Sequence, residues 1–226
     1  MSKIVFIIFV VIIIVSAIFY EKYRGDALSI TSKRLGYDFH PGQHQLPTEL
    51  DDAGFDLFTQ GPPNIRNRMQ GTSGDRDVSI FEFTYNASSA GEGQRQYPVA
   101  DDFNSVETRS QSVIWIRSRQ SLPDFDLSPR RIHRRSVAKR FGLQQVTFDD
   151  RGSFNQQHML LARDSQRIRA LFTDEVFEFM ADHPDLVIES RGRDALLYRF
   201  EKLPDPDSIP RFLEDALALL DLFQRQ

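Results

Sequence analysis

The stretch from Ile4 to Tyr20 constrains this chain most, because it holds no charged residue, no proline and no glycine. As a helix rising ~1.5 Å per residue it spans roughly 25 Å, close to the ~30 Å hydrocarbon core of a bilayer. In lipid every backbone amide needs a partner, and a helix supplies those partners within the segment itself. The stretch therefore predicts an N-terminal transmembrane helix, with residues 1–24 forming the anchor and its flanks.

A cleaved signal peptide is the alternative interpretation of this segment. Lys3 supplies a basic start, and Val15-Ser16-Ala17 satisfies the small-residue rule for a cleavage site. The apolar run continues through Ile18 to Tyr20, beyond that site, where a signal peptide would turn polar. We therefore favour an uncleaved anchor.

The charges that flank the segment predict its orientation. One lysine precedes it, whereas Lys22, Arg24, Lys33 and Arg34 follow it. Basic residues are enriched on the cytoplasmic side of membrane helices, so we expect the rest of the chain to lie in the cytoplasm. Two acidic residues in the same region weaken this bias, and a periplasmic domain is the alternative.

Composition limits the function of the remaining chain, which we divide into a juxtamembrane helix and linker (25–50) and one domain (51–226). The formal net charge of −4 gives no general attraction to nucleic acid. The absence of cysteine excludes disulfides, thiolate metal sites and cysteine nucleophiles. Of nineteen phenylalanines, sixteen lie outside the anchor, which is enough to build a core. No cofactor or metal is expected.

Two segments are typical of central β-strands. Residues 78–85 and 111–119 are rich in β-branched and aromatic side chains and place apolar groups on both faces. Between them, residues 87–107 lack periodicity and are interpreted as a mobile loop. A hairpin is predicted around 191–194.

Helices are predicted from capping residues and apolar spacing. Ser128 and Pro129 indicate a helix that continues to Phe141, and Ser208 precedes an amphipathic C-terminal helix. Strands and helices alternate unevenly, so we predict an α+β domain with a mainly antiparallel sheet packed by helices.

Several short motifs resemble those of a known group of proteins. The matching residues are Phe55-x-x-Phe58-x-x-Gly61, Gly71, Val78 to Tyr85, Leu122-Pro123-x-Phe125-x-Leu127-x-Pro129, Arg169-x-Leu171-Phe172, Ile188-Glu189 and Leu196-Leu197-Tyr198. The chain resembles a widespread group of uncharacterised bacterial single-pass membrane proteins, with an N-terminal helix before one α+β domain. The resemblance implies the bacterial inner membrane as location and implies no chemistry.

The predicted helix from Pro129 to Phe141 concentrates basic charge. Its cations are Arg130, Arg131, Arg134, Arg135, Lys139 and Arg140. One interpretation is that they contact anionic lipid, an acidic partner or RNA. The other, which we favour, is a solvated helix face that nearby aspartates neutralise. In the resembling group an acidic residue follows the proline, so no role is transferred to this helix.

Catalytic motifs are not recognisable. There is no phosphate loop, no His-Glu-x-x-His, no Gly-x-Ser-x-Gly and no dinucleotide fingerprint. We interpret His40 and His44 as loop histidines in a turn, and Gly71 to Asp75 as a turn linking two strands. Glu189 is interpreted as the solvent-facing residue of a half-buried strand.

Two hypotheses for function follow from these observations. The favoured one is a membrane-anchored, non-catalytic binding or scaffold domain that recruits a protein or anionic lipid. The alternative is a hydrolase-type enzyme, in which the fold brings His158 together with carboxylates such as Asp51-Asp52, Asp101-Asp102 or Asp149-Asp150.

Overall fold

A computed structural model of the chain describes residues 3–59, 64–87, 107–131 and 142–225. The helices are α1 (Lys3–Leu35), α2 (Thr48–Asp52), α3 (Gly152–Gln157), α4 (Ser165–Leu171), α5 (Asp174–Asp182) and α6 (Ile209–Gln224). The strands are β1 (Asp38–His44), β2 (Asn64–Ser73), β3 (Arg76–Ala87), β4 (Glu107–Arg117), β5 (Phe125–Pro129), β6 (Gln144–Val146), β7 (His158–Ala162), β8 (Leu186–Arg191) and β9 (Asp194–Arg199). Short 3₁₀ turns occur at Asp56–Thr59 and Pro206–Ser208.

The described strands form one sheet in the order β1-β2-β3-β4-β9-β8-β5-β7-β6. Each pair of neighbours is antiparallel. This confirms the predicted α+β class and the antiparallel sheet. The predicted mobile loop at 87–107 lies outside the described residues, apart from the strand ends Ala87 and Glu107.

Both faces of the sheet are covered, as the pattern of β3 and β4 predicts. On face A, residues such as Val78 and Ile114 pack beneath α1, α4, α5 and α6. On face B, Phe81 and Val113 join residues of α2 and the first 3₁₀ turn. Apolar groups on both sides of a strand are stable only when both sides are shielded from water, so the alternation specifies two cores.

The amphipathic C-terminal helix is confirmed. The buried residues of α6 are Ile209, Phe212, Leu213, Ala216, Leu219, Leu220 and Phe223, and they belong to the face A core. Ser208 stands before the helix but makes no side-chain cap; its hydroxyl donates to the carbonyl of Asp205 instead. In contrast, Asp164 caps α4 as its sequence position indicates, by accepting from the amides of Gln166 and Arg167.

The predicted turn at His40 to His44 is wrong, because these residues form most of edge strand β1. The strand accommodates Pro41 and Gly42 through a bulge, with Gly42 at a φ of +81°. Gly74, at a φ of +62°, forms the turn between β2 and β3 that the Gly71 to Asp75 stretch indicates. The hairpin of β8 and β9 is also confirmed.

The prediction that a helix begins at Ser128 and Pro129 is wrong. Both residues belong to β5, where Ser128 pairs with Met159 and Pro129 pairs with His158. Pro129, which has no backbone N–H to donate, lies beyond the residues of β5 that pair with β8. Arg130 and Arg131 then form a turn, and residues 132–141 lie outside the described part of the chain.

The predicted transmembrane helix is not supported by the structure. In the described part of the chain, no helix combines the length and apolarity that crossing a bilayer requires. The 33-residue helix α1 nevertheless has two different halves. We call its first part, residues 4–20, the stem, and its second part, residues 21–35, packs on face A.

Candidate functional site

The stem exposes large apolar side chains at consecutive positions. Those of Val5 to Ile13 are between 36% and 62% exposed, and Phe19 is 68% exposed. Exposure continues through consecutive positions, so the apolar surface covers all sides of the helix at 3.6 residues per turn. A single apolar face for packing on the domain would instead recur every three or four residues.

A buried ion pair fixes the helix immediately after the stem. Arg24 donates from Nε to the carboxylate of Glu82 on β3, and both side chains are nine-tenths buried. Glu82 also accepts from Asn67 at 2.8 Å, and Arg24 donates to the carbonyl of Pro204 at 3.2 Å. Each charged group therefore has a hydrogen-bond partner besides the other, which an ion pair removed from water requires.

The register of the sheet defines an end that faces the stem, which we call the stem end. Arg66 pairs with Glu82 and Glu82 with Ser112, while Tyr198 pairs with Val113 next to Ser112. Arg66 also forms an ion pair with Glu21 of α1. The start of β4 and the end of β9 therefore lie beside the base of the stem.

A cleft of about 610 Å³ opens at the stem end, which we call the base cleft. Its polar lining comes from Ser112, Asp185, Arg199, Glu201 and Lys202. Its apolar lining comes from Leu203, Pro204 and Phe212. Because the Pro204 carbonyl also accepts a hydrogen bond from Arg24, the cleft directly adjoins the Arg24–Glu82 ion pair that joins α1 to β3.

Charged groups of the base cleft are arranged around Asp185. Lys202 Nζ lies 2.6 Å and Arg199 Nε 3.3 Å from its carboxylate. Burial by itself would raise the pKa of Asp185, but the bonds to Lys202 and the charge of Arg199 outweigh it and lower the pKa. Asp185 therefore stays ionised, and its two cations stay in place.

Ser112 adds an unsatisfied group to the cleft. Its side-chain oxygen is buried and has no hydrogen-bond partner in the described part of the chain. A hydroxyl supplies one donor and two acceptor positions, and burying it without a hydrogen bond costs about 1–3 kcal/mol. The oxygen is thus a buried, unsatisfied polar atom beside the cleft.

Glu189 is not on a solvent face, which corrects the sequence interpretation. It is fully buried, accepts from the Tyr198 hydroxyl at 2.6 Å, and accepts from the Leu57 amide at 3.3 Å. Nearby Arg191 is buried with Asp126, at 2.7 Å. These groups hold the first 3₁₀ turn and the residues before it to face B, through the amide of Leu57 and the carbonyl of Gly54.

His158 is buried among aromatic rings and does not contact a carboxylate. Its ring stacks on Phe154 at 4.9 Å, and neither ring nitrogen has a hydrogen-bond partner among the described residues. Burial lowers its pKa, and the charge of Arg131 lowers it further. Asp101 and Asp102 lie outside the described residues, whereas Asp51, Asp52, Asp149 and Asp150 are exposed.

No group of three or more possible metal ligands occurs among the described residues. His44 Nε2 instead lies 2.9 Å from the carbonyl of His40, within the same edge strand. The described part of the chain therefore shows no metal centre of three or more ligands, and it brings one histidine to a carboxylate, with His183 Nε2 3.5 Å from Asp215. The features with binding potential are the stem and the base cleft.

The predicted basic cluster is only partly described. Arg130 is exposed and donates to the carbonyl of Asn155 at 2.6 Å, and Arg131 is exposed beside it. The remaining four, Arg134, Arg135, Lys139 and Arg140, lie outside the described residues. The base cleft was missed by the sequence analysis, since its lining residues are separated by up to a hundred positions and none belongs to a motif.

Comparison with known proteins shows a shared fold. No family model and no curated protein matches the chain. Among solved structures, the crystal structure of the mycobacterial trehalose monomycolate transport factor A, TtfA, is similar, with a TM-score of 0.63 and 13% sequence identity. The match covers 89% of this chain and 94% of that chain. The likeness therefore extends over nearly the whole length of both proteins.

Proposed function

We propose that the chain is a membrane-associated, non-catalytic binding domain, held at a lipid bilayer by its stem. The observation that carries this proposal is the exposed apolar surface of the stem, continuous with a helix half that is fixed to the sheet. Apolar surface in water costs about 25 cal/mol per Å², which insertion into lipid recovers. A partner helix of matching apolarity is the other way to cover it.

Insertion along the helix axis is favoured over a position flat on the bilayer. A helix that lies in the headgroup region keeps one polar face, whereas residues 5–13 are apolar at every position. With residues 4–20 inserted, the stem end of the sheet faces the headgroups. We propose the bacterial inner membrane as the location, with the domain in the cytoplasm, because basic residues predominate after the stem.

The structural neighbour supports lipid as the class of partner. TtfA is a transport factor for a lipid, trehalose monomycolate, and it has a similar fold over most of its length. A domain without a recognisable catalytic set, at a membrane, is suited to hold a lipid or to recruit a protein that handles one. The resemblance to uncharacterised bacterial single-pass proteins stays a prediction that agrees with this role.

The test is membrane association of the full chain. Val11→Arg places a charge in the middle of the stem, where insertion scales give a cost of about 2.5–3.5 kcal/mol. We expect this variant to move from the carbonate-resistant membrane fraction to the supernatant. Ile30→Arg is the matched control, because Ile30 is 52% exposed on the packed half of the same helix. If both variants remain in the membrane fraction, the stem is not the anchor.

A second candidate function is binding of anionic lipid by the basic residues after β5. The register favours it, because β5 ends on the same side of the sheet as β8 begins and β9 ends. Arg130 and Arg131 therefore lie at the stem end, about 20 Å from the stem across four strand spacings of ~4.8 Å. Each basic residue near an anionic surface contributes about 1 kcal/mol.

The full chain tests this candidate with Arg130, Arg131, Arg134 and Arg135 all changed to glutamine. We expect the preference for anionic over neutral vesicles to fall and the remaining binding to lose its salt dependence. Unchanged binding to anionic vesicles contradicts the candidate. The same charge change at Arg119, Arg167, Arg169 and Arg193, which lie away from the stem end, is the control.

A further inference from the structure

A groove of about 260 Å³ crosses face B of the sheet, away from the stem end, and we call it the face B groove. The register sets Gln70, Ser79 and Trp115 in one row across β2, β3 and β4. Asp77 and Arg117 form the next row. At a strand spacing of ~4.8 Å the first row spans roughly 10 Å. Pockets for drug-sized ligands hold about 300–1,000 Å³, so this groove suits a smaller ligand of one ring.

Trp115 presents aromatic carbon to the face B groove. Its indole N–H donates to Asp194 at 2.8 Å, so the one polar atom of this side chain already has a partner. Arg117 pairs with the same carboxylate at 2.8 Å, and its guanidinium carbon lies 5.3 Å from the centre of the indole ring. What Trp115 offers a ligand is therefore a flat apolar surface, on which the C–H groups of a second ring can pack.

Polar side chains of β2 and β3 in the groove have unused hydrogen-bonding capacity. Arg68 donates from Nε to Ser79 at 2.9 Å, and no carboxylate of the described residues lies within ion-pair distance of it. The side chains of Gln70 and Asp77 make no hydrogen bond or ion pair in the described part of the chain. A guanidinium donates, a carboxylate accepts and an amide does both, so donors and acceptors face one space.

The charges around the groove favour neither an anion nor a cation. Its two cations are Arg68 and Arg117. The carboxylates are those of Asp77 in the groove, Asp194 bound to Arg117, and Glu49 of α2, which interacts with both arginines. Three carboxylates repel an anion, and two guanidinium groups repel a cation. A neutral ligand with several hydroxyl groups can use the donors and the acceptors alike.

We propose that the face B groove binds one pyranose ring of a carbohydrate. The C–H face of the ring packs on Trp115, its hydroxyl oxygens accept from Arg68, and its hydroxyl groups donate to Asp77. Gln70 contributes both a donor and an acceptor. This site goes beyond the proposed function and does not depend on the stem, because β3 runs about 17 Å from Glu82 to Asp77, away from the stem end. We therefore expect a soluble carbohydrate as its ligand.

Trp115 makes the test direct, because it is the one tryptophan of the chain. Full-length protein in a polyoxyethylene detergent, which contains no sugar, is titrated with maltose, lactose and mannobiose while tryptophan emission is recorded. We expect a saturating change with at least one disaccharide, and none with glycerol, sodium phosphate or choline chloride. The absence of a saturating change with all three disaccharides overturns the proposal. An equal change with phosphate or choline identifies a simple ion site and also overturns it.

Variants then locate the site. Asp77→Asn is expected to weaken binding of the preferred disaccharide at least fivefold, and Gln70→Ala is expected to weaken it by a smaller factor. Asp75→Asn is the matched control, because Asp75 is also exposed, lies two residues away and does not line the groove. Circular dichroism checks that each variant is folded. Equal losses in Asp77→Asn and Asp75→Asn overturn the proposal.

The sugar site and the membrane anchor fail in different ways. Val11→Arg leaves the groove intact, so it is expected to bind the disaccharide as the wild-type chain does, whether or not it leaves the membrane fraction. Vesicles that carry a glucosyl diacylglycerol, compared with vesicles without sugar, test a membrane-borne ligand. If only the glycolipid vesicles change the emission, the assignment to a soluble carbohydrate is wrong.

Discussion

Arg24 of α1 and Glu82 of β3 form a buried ion pair that joins the two halves of the molecule, the apolar stem and the sheet. Asn67, which has a positive φ of 50° at the bulge in β2, completes the site by donating to the same carboxylate. A residue in this strained region and a charge pair away from water both cost free energy by themselves. Together they satisfy each other's hydrogen bonds.

We predict that Glu82→Gln destabilises the domain by about 3–5 kcal/mol, because it leaves the guanidinium of Arg24 buried without a counter-charge. The measurement is denaturant unfolding of the full chain in detergent. Arg34→Gln is the control: its ion pair with Asp207 is exposed, with side chains 60% and 80% accessible, and its loss is expected to cost less than about 1 kcal/mol. Similar losses in both variants contradict the prediction.

A pH dependence is expected from His158. Its folded pKa is lowered below the ordinary histidine value of about 6.5, chiefly by burial, so the unfolded state binds the proton more readily. Stability is therefore complete above pH 6.5 and falls as the pH drops below it, with a slope of at most about 1.4 kcal/mol per pH unit. Unfolding midpoints between pH 5 and 8 measure this slope.

The variant His158→Met removes the titrating group and is expected to flatten the slope below pH 6.5. His44→Gln, on edge strand β1, is the control and is expected to keep the slope of the wild-type chain. A slope that persists in His158→Met assigns the pH dependence to another group.

The hydroxyl of Tyr198 is predicted to matter more than its size indicates. Tyr198→Phe removes the donor to Glu189 and leaves a fully buried carboxylate with fewer partners, at a cost of about 1–3 kcal/mol. Double-mutant analysis with Glu189→Gln measures the coupling. A coupling energy of zero shows that the two groups are independent, contrary to their 2.6 Å separation.

Two glycines give opposite predictions for substitution by alanine. At Gly71 a Cβ atom would lie 2.2 Å from Tyr37 Cδ1, so the ring must shift and stability falls by about 1–3 kcal/mol. At Gly25, within α1, a Cβ meets nothing within 4 Å, and alanine is expected to raise stability by about 0.5–1 kcal/mol. Thermal unfolding of the two variants tests both signs.

Periodicity predicted those parts of the fold in which each residue's environment follows from its neighbours in sequence. The two-faced pattern of β3 and β4 and the stripe of α6 are of this kind. Pro129 misled the analysis, because Ser-Pro is a common helix start, and here β7 recruits both residues into a strand. Long-range pairing overrode a local signal.

The site was harder to predict because its determinants are distant in sequence. Glu189 is buried through partners at Leu57 and Tyr198, and no local pattern indicates a tyrosine on the next strand as a hydrogen-bond donor. The base cleft likewise joins Ser112 to residues 185–212. Only the apolar character of residues 4–20 was evident in the sequence itself.

Because α1 is one continuous helix, the number of residues along it sets how the domain is rotated about the stem axis. The stem and the half of α1 that the Arg24–Glu82 ion pair fixes to the sheet belong to one helix, so they cannot rotate independently of each other. One residue inserted between Tyr20 and Arg24 would turn the sheet by ~100° about the stem axis and raise it by ~1.5 Å. The direction in which the base cleft points is therefore encoded in the number of residues that separate it from the stem.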